Sequence, residues 1–279
     1  MTDKHGVQLT EVDYDPFATP ELDRAVVTTA AQREVWLADR LGTEASLAYN
    51  ESVTLRMDGP LDEAALAAAV QGVVDHHEAL RATFSADGLD MLIAPQLSVW
   101  LESLDLSALS DADQAREVAR VRAAAVETPF DLARGPLLRA QLLRLGAQRH
   151  ELVLTAHHIV CDGWSFGVIA RDLMALYGAR TGSPAAQPLL PADRFSDHVA
   201  ALQAPEHLAA AQADLAWWVQ QFDADVPVLE LPTDRPRRAV RTFASRREDV
   251  VIDGELTEAV RKLAARQGVS LFVMLFGTF

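Results

Sequence analysis

The sequence is poor in the features that mark secreted, membrane-spanning or disulfide-linked proteins. It has a single cysteine among 279 residues, Cys161, which cannot form an internal disulfide and cannot build a zinc site alone. No apolar run approaches the roughly 20 residues that a membrane-spanning helix needs. Residues 1–6 also lack the apolar core of a secretory signal. These absences predict a cytoplasmic protein without a membrane partner.

The chain also has too little positive charge to favour nucleic acid. Its 25 Lys and Arg residues stand against 40 Asp and Glu residues, which gives a formal net charge of −15. A protein this acidic repels phosphate backbones, so a nucleic-acid partner is not expected. Hydrophobic residues make up 49% of the chain, and its length suffices for one large domain or two modest lobes with a buried core.

Apolar spacing predicts a mixture of helices and strands. Helices are predicted at 29–41, 62–80, 111–126, 165–177, 206–222 and 255–267. Strands are predicted at 49–57, 89–94, 99–104, 137–145, 151–157 and 246–252. The runs 137–145 and 151–157 are separated by a short turn, which is typical of an antiparallel hairpin.

Proline-rich segments divide this pattern into parts. We interpret residues 1–20 as an irregular lead-in, 21–180 as a first lobe and 181–205 as a connection. Residues 206–279 then begin a second lobe. The segment Leu271–Phe276 has no polar face and no helix stop signal, so we expect the second lobe to be cut short.

A pair of histidines at the end of a predicted strand is the main candidate for chemistry. Adjacent side chains of a strand point to opposite faces, so at most one of His157 and His158 faces a given cleft. Asp162 and Gly163 follow four residues later and permit a tight turn into the next helix. A histidine at such a position can move a proton near neutral pH. The plain alternative is a polar residue with a purely structural role.

The segment His157–Ser165 resembles the His-His-x-x-x-Asp-Gly signature of condensation domains from nonribosomal peptide synthetases. These domains belong with the chloramphenicol acetyltransferase-like acyltransferases. Further family motifs are matched in the same order. They are Ser/Thr-x-Ala-Gln-x-x-x-Trp at Thr29–Trp36, Arg-His-Glu-x-Leu-Arg-Thr-x-Phe at His76–Phe84 with His76 at the usual Arg, a weaker match at Phe195–His198, and Leu231–Pro236.

The resemblance implies an α/β (α+β) two-layer sandwich with a chloramphenicol acetyltransferase-like lobe and the start of a second, incomplete lobe. It implies amide formation between a donor acyl or peptidyl thioester and an acceptor aminoacyl thioester. Both substrates arrive on carrier proteins, upstream and downstream, and an adjacent adenylation domain is expected. No cofactor is bound directly, because the carriers supply the 4′-phosphopantetheine arm.

The resemblance also assigns roles to single residues. His158 is the cleft-facing catalytic histidine, and His157 is structural and faces the core. Gly163 lets the backbone approach the substrate, with its N–H as an oxyanion donor.

The residues around this turn receive supporting roles. Asp162 is expected to be architectural, a carboxylate buried by the turn that needs a cationic partner. The family's usual arginine is expected beyond the last residue, and Arg81 is the candidate within the chain. Trp164 and Ser165 are candidates for the substrate channel, although packing is the plainer role for Trp164.

No metal site is expected. His76 and His77 fall in the predicted helix 62–80, where adjacent side chains diverge by about 100 degrees, and we interpret them as a solvated helix end.

Other functions remain open at this point. An epimerization domain shares the histidine signature, although Trp164 and Ser165 directly after Asp-Gly favour condensation. A free-standing acyltransferase of the same superfamily would use an alcohol or amine acceptor. A non-catalytic docking platform for carrier proteins is the alternative from another class. Because an incomplete lobe cannot close a cleft, we expect the isolated 279-residue chain to be weakly active or inactive.

Overall fold

The computed structural model describes residues 22–184, 186–222 and 250–278, with positions 226, 228, 230, 232–236, 239 and 242–243 between them. The predicted lead-in at 1–20, Leu231 and most of the predicted strand 246–252 lie outside these residues. The chain divides into two compact units, Met1–Thr242 and Phe243–Phe279. In the described part of the chain, no helix has the length and apolar character needed to cross a membrane.

Seven strands form two sheets in the described residues of the first unit. They are β1 (Arg24–Val27), β2 (Asn50–Asp58), β3 (Ala82–Phe84), β4 (Asp90–Ile93), β5 (Leu101–Asp105), β6 (Leu138–Gly146) and β7 (Arg149–His157). The larger sheet has the order β2-β7-β6-β5, and the smaller one has the order β1-β4-β3. Strands β6 and β7 form the predicted antiparallel hairpin, while β5 pairs with β6 in parallel.

Helices accompany both sheets along the chain. Those of the first unit are α1 (Ala30–Asp39), α2 (Thr43–Leu47), α3 (Glu63–His76), α4 (Asp111–Glu127), α5 (Gly163–Thr181), α6 (Phe195–Leu202) and α7 (Pro205–Gln221). The second unit contains α8 (Gly254–Arg266) and α9 (Leu271–Thr278). Each helix predicted from the sequence is present. The apolar segment Leu271–Phe276 lies in α9.

The helix predicted to reach residue 80 ends earlier, at His76. The backbone of His77 is extended at the C-cap, and a short 3-10 helix follows at Glu78–Arg81. The apolar periodicity continues across this break because Leu80 is buried as well.

The larger sheet is covered by helices on both faces. Leu142 and Leu143 of β6 point to opposite faces and are both fully buried. Leu142 lies in a core with α3 and α5, whereas Leu143 packs with Val121 of α4. The mixed α/β fold predicted from the sequence is therefore confirmed, and α4 adds a layer on the second face.

The central strand β7 sets the position of the histidine pair. It lies between β2 and β6, with Asn50 opposite His157 and Glu51 opposite Ala156. Both neighbours supply backbone hydrogen bonds, so the end of β7 is held rigidly. Five residues then connect His157 to the start of α5.

Candidate active site

His157 faces the interior, which leaves His158 as the one histidine of the pair that can face a cleft on the other side. Its side chain is 0% exposed, and its Nδ1 accepts the N–H of Ile159 at 3.3 Å. Its Nε2 lies 3.9 Å from Asp39 Oδ1. Burial lowers the pKa of His157 to about 4, although the Asp39 charge opposes this shift. The ring is therefore neutral at pH 7 and cannot act as a cation there.

His158 faces the opposite way, into a cavity. Its side chain is 42% exposed, and its backbone N–H donates to the carbonyl of Tyr49 at 2.8 Å. The ring nitrogen Nε2 lies 3.2 Å from Glu51 Oε2 on the neighbouring strand β2. His158 thus combines a rigid backbone with a ring that substrate can reach.

Asp162 is an exposed helix cap and not a buried carboxylate, which corrects the expectation from the sequence. Its Oδ1 accepts the backbone N–H of Ser165 at 2.9 Å and the Ser165 hydroxyl at 2.7 Å. The Ser165 Oγ in turn accepts the N–H of Asp162, which completes a capping box at the start of α5. These hydrogen bonds, the hydroxyl bond first, lower the pKa of Asp162. The charge is stabilised by solvent and by the helix N-terminus, so no cationic partner is required.

Arg81 does not contact Asp162, so its assignment as the partner of that carboxylate was wrong. Its Nε donates to the carbonyl of Ala94 at 3.0 Å, and its Nη1 donates to Val74 at 3.1 Å and to Asp75. The guanidinium therefore satisfies carbonyls at the C-terminal end of α3, a common role for arginine.

Gly163 and Trp164 form the first turn of α5 beside His158. A Cβ at Gly163 would lie 3.4 Å from Glu51 Oε1, an ordinary van der Waals contact, so the Glu51 carboxylate lies beside the first turn of α5. The N–H of a first helical residue has no acceptor inside the helix. Trp164 is 84% exposed, so the plainer expectation of a packing role was wrong.

His158, Asp162, Trp164 and Ser165 line one cavity of about 910 Å³, whereas Gly163 is not among its lining residues. Its sides come from α1, the 3-10 helix, the segment 158–165 and α6. Gln32 of α1 donates from its amide to the carbonyl of Ile159 at 3.2 Å, and its Oε1 accepts the N–H of Thr29. One buried side chain therefore fixes both the start of α1 and the loop that follows His158.

Glu78 holds α6 in place at the edge of this cavity. Its buried carboxylate accepts the backbone N–H of Ser196 at 2.8 Å and lies 3.4 Å from Arg24 Nε. Sequence reasoning matched the motif that contains Glu78 but gave this residue no function. The position of Glu78 within the motif His76–Phe84 is the sequence feature that could have indicated a function for it.

Cys161 lines the same cavity but is not a nucleophile. Burial raises the pKa of its thiol to about 12, and the charges of Glu51 and Asp162 act in the same direction. Because the thiolate is the reactive form, the protonated thiol behaves as a small core residue.

His76, His77 and Asp172 lie close enough together to resemble metal ligands, contrary to the expectation of a solvated helix end. The extended backbone of His77 turns its ring toward α5, where Nε2 contacts Asp172 Oδ2 at 2.8 Å. Arg171 Nε donates to the other Asp172 oxygen at 2.8 Å, and His76 Nε2 contacts the carbonyl of Leu190 at 2.8 Å. Burial lowers the pKa of His77, although its bond to Asp172 opposes this. Each group already has a protein partner, so the cluster joins α3, α5 and the following segment.

The comparisons with known proteins agree with one another. The family described as "Condensation domain" matches residues 23–278. Chondramide synthase of Chondromyces crocatus is 38% identical over 266 residues, which cover 95% of this chain and 7% of that protein. Phosphinothricin tripeptide synthetase PhsC of Streptomyces viridochromogenes is 39% identical over 266 residues, which cover 93% of this chain and 24% of that protein.

Solved structures give the same result for the fold. The first condensation domain of the calcium-dependent antibiotic synthetase, in complex with a substrate analogue, has a TM-score of 0.74 and 27% identity. The match covers 90% of this chain and 59% of that one. The starter condensation domain of rhizomide synthetase has a TM-score of 0.64 and 27% identity, over 75% of this chain and 52% of that one.

The fold and the histidine segment define an acyltransferase-like α/β protein of the chloramphenicol acetyltransferase type. Within that class the chain belongs to the condensation-domain family. It spans 7% and 24% of the two curated synthetases and 59% and 52% of the two solved condensation domains.

Proposed function

We propose that this chain contributes to amide bond formation in a nonribosomal peptide synthetase. The observation that carries the proposal is the position of His158. It stands at the end of the central strand, half-exposed, on a cavity of about 910 Å³ that is also lined by Asp162, Trp164 and Ser165.

The chemistry requires little beyond positioning and proton transfer. The α-amine of the acceptor attacks the donor thioester carbonyl, a C–N bond forms, the C–S bond breaks, and the amine proton leaves with the sulfur. Because a thioester is already activated, bringing two tethered substrates into line lowers most of the barrier. His158 accepts the amine proton or holds it by a hydrogen bond. The N–H of Gly163, at the N-terminus of α5, is the proposed donor to the tetrahedral oxyanion.

The neighbouring residues support His158 in this proposal. His157 anchors the strand end through its buried ring. Asp162 holds the first turn of α5 in place, and with it Gly163. Trp164 and Ser165 lie where a substrate arm would enter, and the exposed indole offers an apolar surface to it.

We further propose that the substrates arrive on upstream and downstream carrier proteins, each attached through a phosphopantetheine arm, with an adenylation domain adjacent. Residues 21–180 would form the first lobe, 181–205 the connection and 206–279 the beginning of the second lobe. The relatives named above are synthetases, which supports this arrangement.

The test is a condensation assay with two loaded carrier proteins, carried out in the synthetase that contains this chain, with the amide product measured by mass spectrometry. His158→Ala should lower its rate by roughly 10²- to 10⁴-fold, the usual contribution of acid–base catalysis. His207→Ala is the matched control, because His207 is exposed on α7 and does not line the cavity. An unchanged rate for His158→Ala would refute the proposal. Carrier binding by the unaltered protein without any amide product would favour the docking platform instead.

A further inference from the structure

Glu51 is a carboxylate at the active site that no motif in the sequence points to. It lies on β2 opposite Ala156 of β7, two positions before His158. Its Oε2 reaches to within 3.2 Å of His158 Nε2. The two residues are 107 positions apart in the chain, and the β2–β7 register brings them together.

The environment of Glu51 directs its charge at His158. Oε2 is buried and makes no aligned hydrogen bond within the described part of the chain. Within residues 22–184, 186–222 and 250–278, the ion pair of Glu51 is with His158 and not with an arginine or lysine. A buried carboxylate oxygen without a partner is costly, and His158 Nε2 is the donor within reach.

The second oxygen of Glu51 lies at the start of α5. Oε1 would be 3.4 Å from a Cβ at Gly163, the residue that opens the helix. The carboxylate is thus placed between the imidazole and the first turn of α5. The Glu51 side chain is 30% exposed, but the oxygen that faces His158, Oε2, is closed to solvent.

We propose that Glu51 is a positioning residue for His158. Its carboxylate accepts the Nε2–H of the imidazole, which selects one tautomer and one ring orientation and leaves the lone pair on Nδ1; the carboxylate then stabilises the imidazolium that forms when Nδ1 takes the amine proton. The contact is within ion-pair distance but not yet aligned as a hydrogen bond. Catalytic hydrogen bonds commonly tighten only in the substrate complex. The kinetic part of this inference rests on the proposed function, whereas the tautomer does not.

The first measurement is the protonation of the His158 ring nitrogens, by nitrogen-15 NMR of the chain. In the unaltered protein the neutral ring should carry its proton on Nε2. Glu51→Leu should give a mixture of tautomers, and Glu51→Gln should keep Nε2–H, because its amide oxygen still accepts. Glu44→Gln, in the exposed first turn of α2, is the control and should change nothing. A tautomer mixture already present in the unaltered protein would overturn the inference.

The second measurement is kinetic, in the synthetase that contains the chain. Glu51→Gln keeps the shape but removes the charge, so kcat should fall roughly tenfold to a hundredfold with KM unchanged. Glu51→Asp should restore part of the loss. An unchanged kcat in Glu51→Gln would overturn the catalytic part of the inference. If the unaltered protein makes no amide, the proposed function fails. The NMR result still decides whether Glu51 pairs with His158.

Discussion

Asp162 begins helix α5 by accepting two hydrogen bonds from Ser165, one from the backbone N–H and one from the hydroxyl. The carboxylate of this signature residue therefore stabilises the first turn of α5, which begins at Gly163 and presents Trp164 to the cavity. A substitution at Asp162 should therefore lower the stability of the protein, and any effect on catalysis should follow from that loss.

Replacing this cap should destabilise the protein in a pH-dependent way. At pH 7 Asp162→Ala should lower the free energy of unfolding by about 1 kcal/mol, as measured by urea denaturation, and Asp162→Asn by less, because Asn also caps. The pKa of Asp162 is lowered below its ordinary value of 3.8, so the charged cap contributes above that pH and is lost as the pH falls through the folded pKa. The difference in the free energy of unfolding between wild type and Asp162→Asn should therefore vanish at pH values below the folded pKa of Asp162. A constant difference at all pH values would contradict this.

His157 should make the protein less stable as the solution is acidified. Its pKa is about 4 in the folded chain and near its ordinary 6.5 when unfolded, so between these values the unfolded state binds the proton. Stability should fall as pH drops through this window, by about 3 kcal/mol in total. His157→Asn keeps an acceptor for the Ile159 N–H and should remove the His157 part of this slope in urea titrations from pH 7 to pH 4, while the part due to His77, whose pKa is also lowered by burial, remains.

The control for that titration is His207→Asn, an exposed position that should retain the slope. If His157→Asn keeps the same pH dependence as the wild type, a group other than His157 is responsible.

Gln32 belongs to the motif at Thr29–Trp36, and we expect its side chain to stabilise the protein. Its amide oxygen and nitrogen serve Thr29 and Ile159, so Gln32→Ala leaves a buried carbonyl unpaired and opens the α1 cap. We expect a loss of about 2 kcal/mol in the free energy of unfolding. The adjacent exposed Arg33→Ala should stay within about 0.5 kcal/mol of wild type. Equal effects of the two substitutions would contradict the assigned contacts.

The sequence predicts the local parts of this site and misses the long-range ones. Strand alternation, a single backbone rule, predicts that His157 and His158 point to opposite faces, and the family resemblance supplied which of the two faces the cleft. Asp162 was misjudged because a carboxylate next to a glycine turn looks the same whether it is buried or caps a helix. Only the placement of Ser165 three residues later distinguishes the two, and it was the available signal.

Other residues depended on tertiary packing. Glu51 was missed because its role follows from the register between β2 and β7, which one sequence does not specify. Arg81 was assigned to the wrong partner because its nearest acceptors are backbone carbonyls, which carry no sequence signature. His77 was misplaced because apolar periodicity continues beyond the true end of α3. The errors at Glu51 and Arg81 lie in contacts between elements, whereas the error at His77 lies in the end of one helix.

Trp164 should matter for activity but not for stability. It is 84% exposed and lines the cavity with His158, whereas Trp100 is 85% exposed and does not line it, so the two indoles form a matched pair. Replacing either with alanine should change the free energy of unfolding by less than about 0.5 kcal/mol. If a substrate arm covers the indole of Trp164 during condensation, Trp164→Ala loses apolar contact of roughly 1.5–3 kcal/mol, which is about a tenfold to hundredfold decrease in kcat/KM. Trp100→Ala should leave kcat/KM unchanged. Equal kinetic effects of the two substitutions, measured with loaded carriers, would exclude Trp164 from the substrate channel.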